Sequence, residues 1–441
     1  MKLYELVTLT YGTKPASYIA VKCVQQLAKD EGKRFPWAAK VVQEDFYMDD
    51  LLTGAMTVEE LMELKHQLIE LLKLGGFELH KWGSNAKVLN EGGTLNLAEF
   101  IEHEGGRESK LLGIAWSPKE DKLHFRTPAR GNDGRVTKRT ILSEIAQLFD
   151  PLGLMGSVTT FAKILMQSLW VSKVGWDDVV PMSIQNSWLL FRSQLTGLNY
   201  IEIPRLMMSY GVNQARLHGF CDASEKAYGA CIYLVSGDSE QGISSTLMCS
   251  KSRVAPLKAV SLPRLELCGA TLLVRLMNKV TEALATEVLE RHYWTDSRIV
   301  LAWIGSSSRR WQTFVANRVG EIQNSSSSNE WHHVSSRDNP ADLISRGVTP
   351  AQLNNSAIWW EGPRWLKVKN DFAKTDGLDV VLDSVPEERK KALTAISLVD
   401  NPAIDFIRFS SYFKLLRVMA YMLRFVGKFK KLNISYKEKD M

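Results

Sequence analysis

HGFCDASEKAYGACIYL, residues 218–234, is the stretch from which the rest of the chain can be read. An apolar run, Leu217–Cys221, ends at Asp222, and after a polar turn a second apolar run follows over Gly229–Val235. Short apolar runs bounded by turn residues predict two neighbouring strands with an acid at the end of the first. Working outward, three more acids fall at the ends of predicted elements. Glu266, in SLPRLELCGATLL (261–273), lies one turn into a helix predicted for Pro263–Ala283. Asp296, in HYWTDSRIVLAWI (292–304), ends a strand over Arg291–Thr295 and precedes a helix over Arg298–Ile304. Asp342, in SRDNPADLISRG (336–347), begins a helix over Ala341–Ser345. A single acid at an element end is usually a cap or a solvated group. Four carboxylates on separate elements are what phosphodiester chemistry with two hard cations requires, the ions sitting about 4 Å apart and clamping the attacking and leaving oxygens.

The bulk properties are compatible with such a site. A chain of 441 residues, 45% hydrophobic and 24% charged, has room for two to four domains of ordinary globular composition. A net charge of +6 permits a polyanionic partner without demanding one. The five cysteines are scattered without a C-x-x-C pair, which argues against a zinc ribbon or a disulfide framework and for a reducing, intracellular setting, cytoplasmic or nuclear. There is no signal-peptide pattern and no uncharged apolar stretch of about 18 residues, so no membrane span is expected. A glycine-rich phosphate loop, a Ser/His/Asp nucleophile pattern and a dinucleotide fingerprint are all absent.

Elsewhere the chain reads as mixed order. A strand is expected over residues 3–10, a helix over Lys14–Lys29, and two short strands, Ala39–Tyr47 and Leu51–Thr53, around the acidic turn Asp49-Asp50. Thr57 and Glu60 form a capping box for a helix over Leu61–Leu74, and Phe77–Trp82 is a further strand candidate. Leu111–Trp116 with Leu123–Arg126 predicts a hairpin, and helices are expected over Arg139–Phe149, Thr159–Val171 and Ser183–Leu195. Residues 367–402 read as a charged linker, and 403–432 as a basic amphipathic helix carrying Lys414, Arg417, Arg424 and Lys428.

The segments FCDASEKAYGACIYL, LPRLELCGATLL, YWTDSRIVLAWI and NPADLISRG together resemble the ribonuclease H domain of retroelement polyproteins. That resemblance implies that Asp222, Glu266, Asp296 and Asp342 hold Mg²⁺ or Mn²⁺, and that the substrate is the RNA strand of an RNA–DNA hybrid. His332 and His333 lie near the place where some members carry a mobile proton-shuttling histidine, and His333 is the candidate for that role. Upstream, FYMDDLLTG (46–54), together with YGTKPASYIA and GFELHKWGSN, resembles the later part of a reverse transcriptase palm, most similar to BEL/Pao-type retrotransposon polyproteins. The likeness continues through LLGIAWSPKED, ILSEIAQLFDPLGLMGSV, FAKILMQSLW and WWEGPRWL. It implies that Asp49 and Asp50 are polymerase acids, and that Lys81-Trp82 with Ser84-Asn85 form a post-palm segment. The family supplies a further polymerase Asp well before YGTKPAS, so the palm is expected to be truncated and unable to polymerise alone. The C-terminal DFIRFSSYFKLLRVMAYMLRFVGKFKKL resembles the connector before an integrase-type segment.

The expected fold class is α/β, multidomain. Residues 1–130 would be a truncated palm and 131–210 a helical thumb or connection. Residues 211–350 would be a ribonuclease H-like domain with a mixed five-stranded sheet, and 351–441 a linker and basic helix before a missing integrase region. The expected partners are an RNA–DNA hybrid and either missing polyprotein segments or a second copy of the chain, with no membrane. The competing expectation is a non-catalytic, nucleic-acid-binding or inert remnant.

Overall fold

The strand β8 (Gln214–Ala223) turns into β9 (Ala227–Ser236) through a tight loop in which the Ser224 hydroxyl accepts from the backbone N–H groups of Lys226 and Ala227. β10 (Ser244–Val254) adds antiparallel to β9, while β11 (Glu287–Thr295) and β12 (Trp331–His333) add parallel on the other side of β8. The result is a mixed five-stranded sheet in the order β10-β9-β8-β11-β12. Its central strands alternate between two cores, as the two-residue period of a strand requires. Phe220, Cys231, Tyr233, Val235 and Trp294 enter one core, and Leu217, Cys221, Ile232, Leu234 and Tyr293 enter the other. This two-sided burial explains why these segments read as continuous apolar runs rather than alternating ones.

The first core is closed by helices. α4 (Lys138–Ile145), α5 (Gly156–Val171) and α6 (Met182–Gln194) contribute Ile141, Val158, Leu169, Trp188 and Phe191, and α10 (Ala341–Arg346) contributes Ile344. On the opposite face lie α7 (Leu262–Ala283), α8 (Arg298–Ile304) and α9 (Thr313–Ser325), supplying Leu273, Met277, Val300, Trp303, Val315 and Val319. The helices between residues 138 and 200 thus share one core with the sheet. After α10 the chain adds two short helices, α11 (Pro350–Asn354) and α12 (Ala357–Glu361), and Trp359 of the latter is fully buried in the first core.

The turn Asp150-Pro151-Leu152-Gly153 ties α4 and α5 to the sheet. The Asp150 carboxylate accepts from the N–H groups of Leu154 and Met155 at 2.8 Å each, and Leu152 O accepts from Ser250 N on β10 at 2.9 Å. Burial pushes the Asp150 carboxyl up to about 6 despite these donors. Gly153 has φ +73°, and a Cβ there would lie 2.0 Å from Ser250 O. Gly153→Ala is therefore expected to cost about 3 kcal/mol, from the left-handed backbone and the overlap together. Urea unfolding checks this, and an unchanged midpoint would refute the docking of this turn.

Upstream, α1 (Ala16–Glu31), α2 (Pro36–Glu44) and α3 (Val58–Leu74) pack together through Ala28, Val42, Leu64, Leu68 and Leu71. The capping box of Thr57 and Glu60 is formed. Ala39–Tyr47, expected as a strand, is instead largely helical in α2. Pro36 starts that helix, and Ala38, Ala39 and Val42 form its buried face. Only Phe46–Tyr47 (β1) and Asp50–Leu51 (β2) pair, as a small antiparallel hairpin. No strand forms over Phe77–His80. A second five-stranded sheet runs β3 (Ile101–His103), β4 (Gly106–Leu111), β5 (Ile114–Ser117), β6 (Lys122–His124) and β7 (Glu202–Pro204), antiparallel throughout. Its β5–β6 pair is the hairpin expected from the sequence.

The computed structural model describes residues 10, 12–80, 82–86, 101–103, 106–111, 114–127, 135–208, 214–237, 242–284, 287–368, 385–389 and 408–429. The strand expected over 3–10, Lys81 and most of the expected linker fall outside these residues. The chain divides into two units, Met1–Glu388 and Arg389–Met441. The second contains α13 (Tyr412–Phe429), whose Lys414, Arg417, Arg424 and Lys428 recur at helical spacing and share one stripe. Among the described residues no helix is long and apolar enough to cross a membrane.

Candidate active site

The parallel pairing of β8 with β11 ends at Cys221 opposite Thr295. The next residues, Asp222 and Asp296, therefore leave neighbouring strands at the same end of the sheet. α7 crosses this end closely, and a Cβ on Gly269 would lie 3.1 Å from Asp222 O. One helical turn earlier on α7 stands Glu266, whose carboxylate accepts from Ser297 Oγ at 2.5 Å. Ser297 also caps α8, its hydroxyl accepting from Val300 N at 3.3 Å. The fourth acid is brought in by α10. Asn339 Nδ2 donates to Cys221 O at 3.2 Å, and Asn339 Oδ1 accepts from Ala341 N at 3.1 Å, which pins the start of α10 to the end of β8. Asp342 lies in the first turn of that helix, and Ser345, one turn on, donates its hydroxyl to Asp222.

The electrostatics reflect this crowding. Burial, then the negative charges of Asp296 and Asp342, push the Asp222 carboxyl up to about 7 against the hydrogen bond from Ser345. Glu266 is raised by burial and by Asp296. Arg346 donates from Nε to Asp342 Oδ1 at 2.5 Å, and its charge is favoured first by Asp342 and further by Asp222 and Asp296. Asp296 accepts from Ser336 Oγ at 2.7 Å. Each acid is thus turned towards a local partner. Among the described residues no three His, Cys, Asp or Glu side chains gather around one point at metal-binding range. In kind, four carboxylates from four elements are the oxygen donors that a hard divalent cation takes.

The other sequence candidates are placed as follows. His333 is half-buried and pairs in register with Thr295, the residue before Asp296. His332 turns to the opposite face, where its ring lies 4.7 Å from Trp294 and its Nε2 is 3.2 Å from His292 Nδ1. Burial pushes its imidazole down to about 4, so it is neutral at physiological pH. Asp49 and Asp50 lie at the exposed tip of the β1–β2 hairpin, in a sheet separate from the other four acids. Sequence reasoning passed over Ser297, Ser336, Asn339, Ser345 and Arg346. Ser297, directly before the helix predicted from Arg298, carried a local N-cap signal, and the Asn of NPAD stood next to a predicted helix start.

Residues 137–297 match the family described as Pao retrotransposon-like RNaseH-like domain. The match opens at Thr137, the N-cap of α4, and takes in Asp222, Glu266 and Asp296, with Asp342 beyond it. No curated protein matches the chain. Among solved structures, the chain is similar to a foamy viral protease-reverse transcriptase in complex with double-stranded DNA, at 12% identity and a TM-score of 0.44, covering 73% of this chain and 49% of that one. It is also similar to the N-terminal RNase H domain of a Mycobacterium tuberculosis protein solved as a fusion with maltose-binding protein, at 13% identity and a TM-score of 0.21, covering 30% of this chain and 93% of that one. The chain spans about half the length of the foamy viral chain. By this match, residues 137–297 are similar to a Pao retrotransposon-like RNaseH-like domain.

Proposed function

We propose that the domain hydrolyses the RNA strand of an RNA–DNA hybrid with the help of Mg²⁺ or Mn²⁺. The observation that supports this most is the crowding of Asp222 by Asp296 and Asp342 at one end of the sheet, where the charge of a dication would relieve the repulsion. Asp222, Glu266, Asp296 and Asp342 would hold the metal after turning away from their serine and arginine partners. Bound there, two ions would supply an activated water and stabilise the leaving 3′ oxygen. The chain's own residues do the positioning. Ser297 and Ser345 hold two of the carboxylates on rigid elements, and Arg346 balances the acids until a cation enters. His333, which pairs in register with Thr295, is the candidate proton shuttle in this reading.

In this reading residues 211–350 are the nuclease domain, 131–210 its helical connection, and the Asp49-Asp50 hairpin the acidic turn of a polymerase palm. The alternative, a non-catalytic nucleic-acid-binding chain, draws on the engagement of all four acids with local partners. Incubation of the chain with end-labelled hybrid and Mg²⁺ or Mn²⁺ separates the two. Cleavage of the RNA strand alone, lost in Asp296→Asn, is expected. A folded protein that leaves the hybrid intact with either metal rules the enzymatic reading out.

A further inference from the structure

The segment Val385–Glu388 returns to the helical face of the sheet and binds there as a strap. Trp303 Nε1 donates to Pro386 O at 2.9 Å, Gln312 N donates to Glu387 O at 2.8 Å, and Val385 packs against the core beneath. Two adjacent carboxylates project from this strap onto arginines. Arg264 Nε and Nη2 donate in a fork to the two oxygens of Glu387, both at 2.8 Å, and Arg310 Nε donates to Glu388 at 2.9 Å. Arg264 stands in the first turn of α7, two residues before Glu266. The Arg264 guanidinium also lies over the Phe314 ring at 5.0 Å, and Arg318 lies over the same ring at 3.6 Å. The basic surface continues into a cleft of about 230 Å³ lined in part by Arg253, Arg275 and Arg318, where Glu321 pairs with Arg275.

We propose that this arginine face is a binding surface for the phosphodiester backbone of nucleic acid, and that Glu387 and Glu388 occupy it as an intramolecular stand-in for two phosphates. A forked guanidinium presents the same pair of donors to a carboxylate and to a phosphate, so one anion can replace the other at Arg264. Planar guanidinium groups stacked on Phe314 are pre-organised for that exchange. The backbone at Glu387 points the same way. Its φ is +70°, a conformation suited to glycine or asparagine, yet the position carries the side chain that makes the fork. The Arg310–Glu388 pair is about half exposed on both sides, so water and a competing polyanion can reach it.

The inference takes its ligand class from the function proposed above, but its test needs no catalysis. Binding of a short labelled hybrid, and of duplex DNA of the same sequence, is measured in EDTA at several salt concentrations. The double variant E387Q/E388Q, which keeps the backbone contacts of the strap, is expected to bind on the order of tenfold more tightly than the native chain. Its salt dependence should steepen by roughly 0.9 for each arginine freed to meet a phosphate. Adding Arg264→Ala to it should remove most of the gain. Equal affinity and equal salt slope for the native chain and E387Q/E388Q, with matching melting curves, overturn the proposal, as does a gain that survives Arg264→Ala. Should the double variant melt early, Glu388→Gln alone, at the exposed pair, gives a smaller gain by the same reading, and no gain there counts against it. If binding responds as expected but no hybrid is cut, the nuclease reading fails and this one stands. If hybrid is cut while the strap variants bind like the native chain, only this inference fails.

Discussion

Replacing Asp222 by Asn is expected to lower hybrid cleavage by about a thousandfold, roughly 4 kcal/mol of barrier, while making the metal-free protein more stable at alkaline pH. The two effects share one cause. Asp222 is 7% exposed and is flanked by Asp296 and Asp342, so ionising it in the fold is costly. Its carboxyl titrates from 3.8 in the unfolded chain to about 7 in the fold. A group raised in this way contributes stability below its unfolded value and loses it as the pH rises through the folded one. Native protein should therefore lose on the order of 3 kcal/mol between about pH 4 and pH 7 through this group, and no more above that. Asparagine carries no charge and can still accept from Ser345. The advantage of Asp222→Asn in thermal melts should be full above pH 7 and shrink towards pH 4. Millimolar Mn²⁺ should raise the melting temperature of the native chain and leave the variant unmoved. A variant no more stable than native at pH 8 without metal would show that Asp222 is not crowded as described. A variant that still cuts would remove it from the site.

Trp294→Ala should be strongly damaging, although the residue is not itself at the acidic end. The ring is fully buried, with Trp365 at 4.6 Å and His332 at 4.7 Å between centroids, and its Nε1 donates to His218 Nδ1 at 3.3 Å. Removing it opens a large cavity and takes away the indole donor to the buried His218 imidazole. A loss of about 3–5 kcal/mol follows, readable in urea or guanidinium unfolding. Because Asp296 lies two residues further along, just past the end of the same strand, cleavage should fall with stability, whereas Trp294→Phe should retain part of both. A loss under about 1 kcal/mol would mean that the ring does not hold these elements together.

Much of this molecule can be read locally. Apolar runs ending in Asp222 and Asp296, a helix carrying Glu266 and the NPAD start of another place each acid at the end of an element. Those patterns depend only on period and on caps. The region around Ala39–Tyr47 could not be read in the same way. A short apolar segment suits strand and helix alike, and here Pro36 and packing against α3 decide for helix.

The opposing faces of the sheet were not legible either. Nothing in ILSEIAQLFDPLGLMGSV says that its helices close the core beneath Phe220 and Tyr233, because that contact joins residues far apart in the chain. The site shows the same division. By itself the sequence determined which four carboxylates stand at element ends and in what order, since side-chain period and capping are local properties. Only the tertiary structure decided that Asp222 is crowded by Asp296 and Asp342, that Ser297, Ser345 and Arg346 hold the acids, and that Glu387 returns to Arg264. Those are distances between distant parts of the chain, set by how the two cores pack.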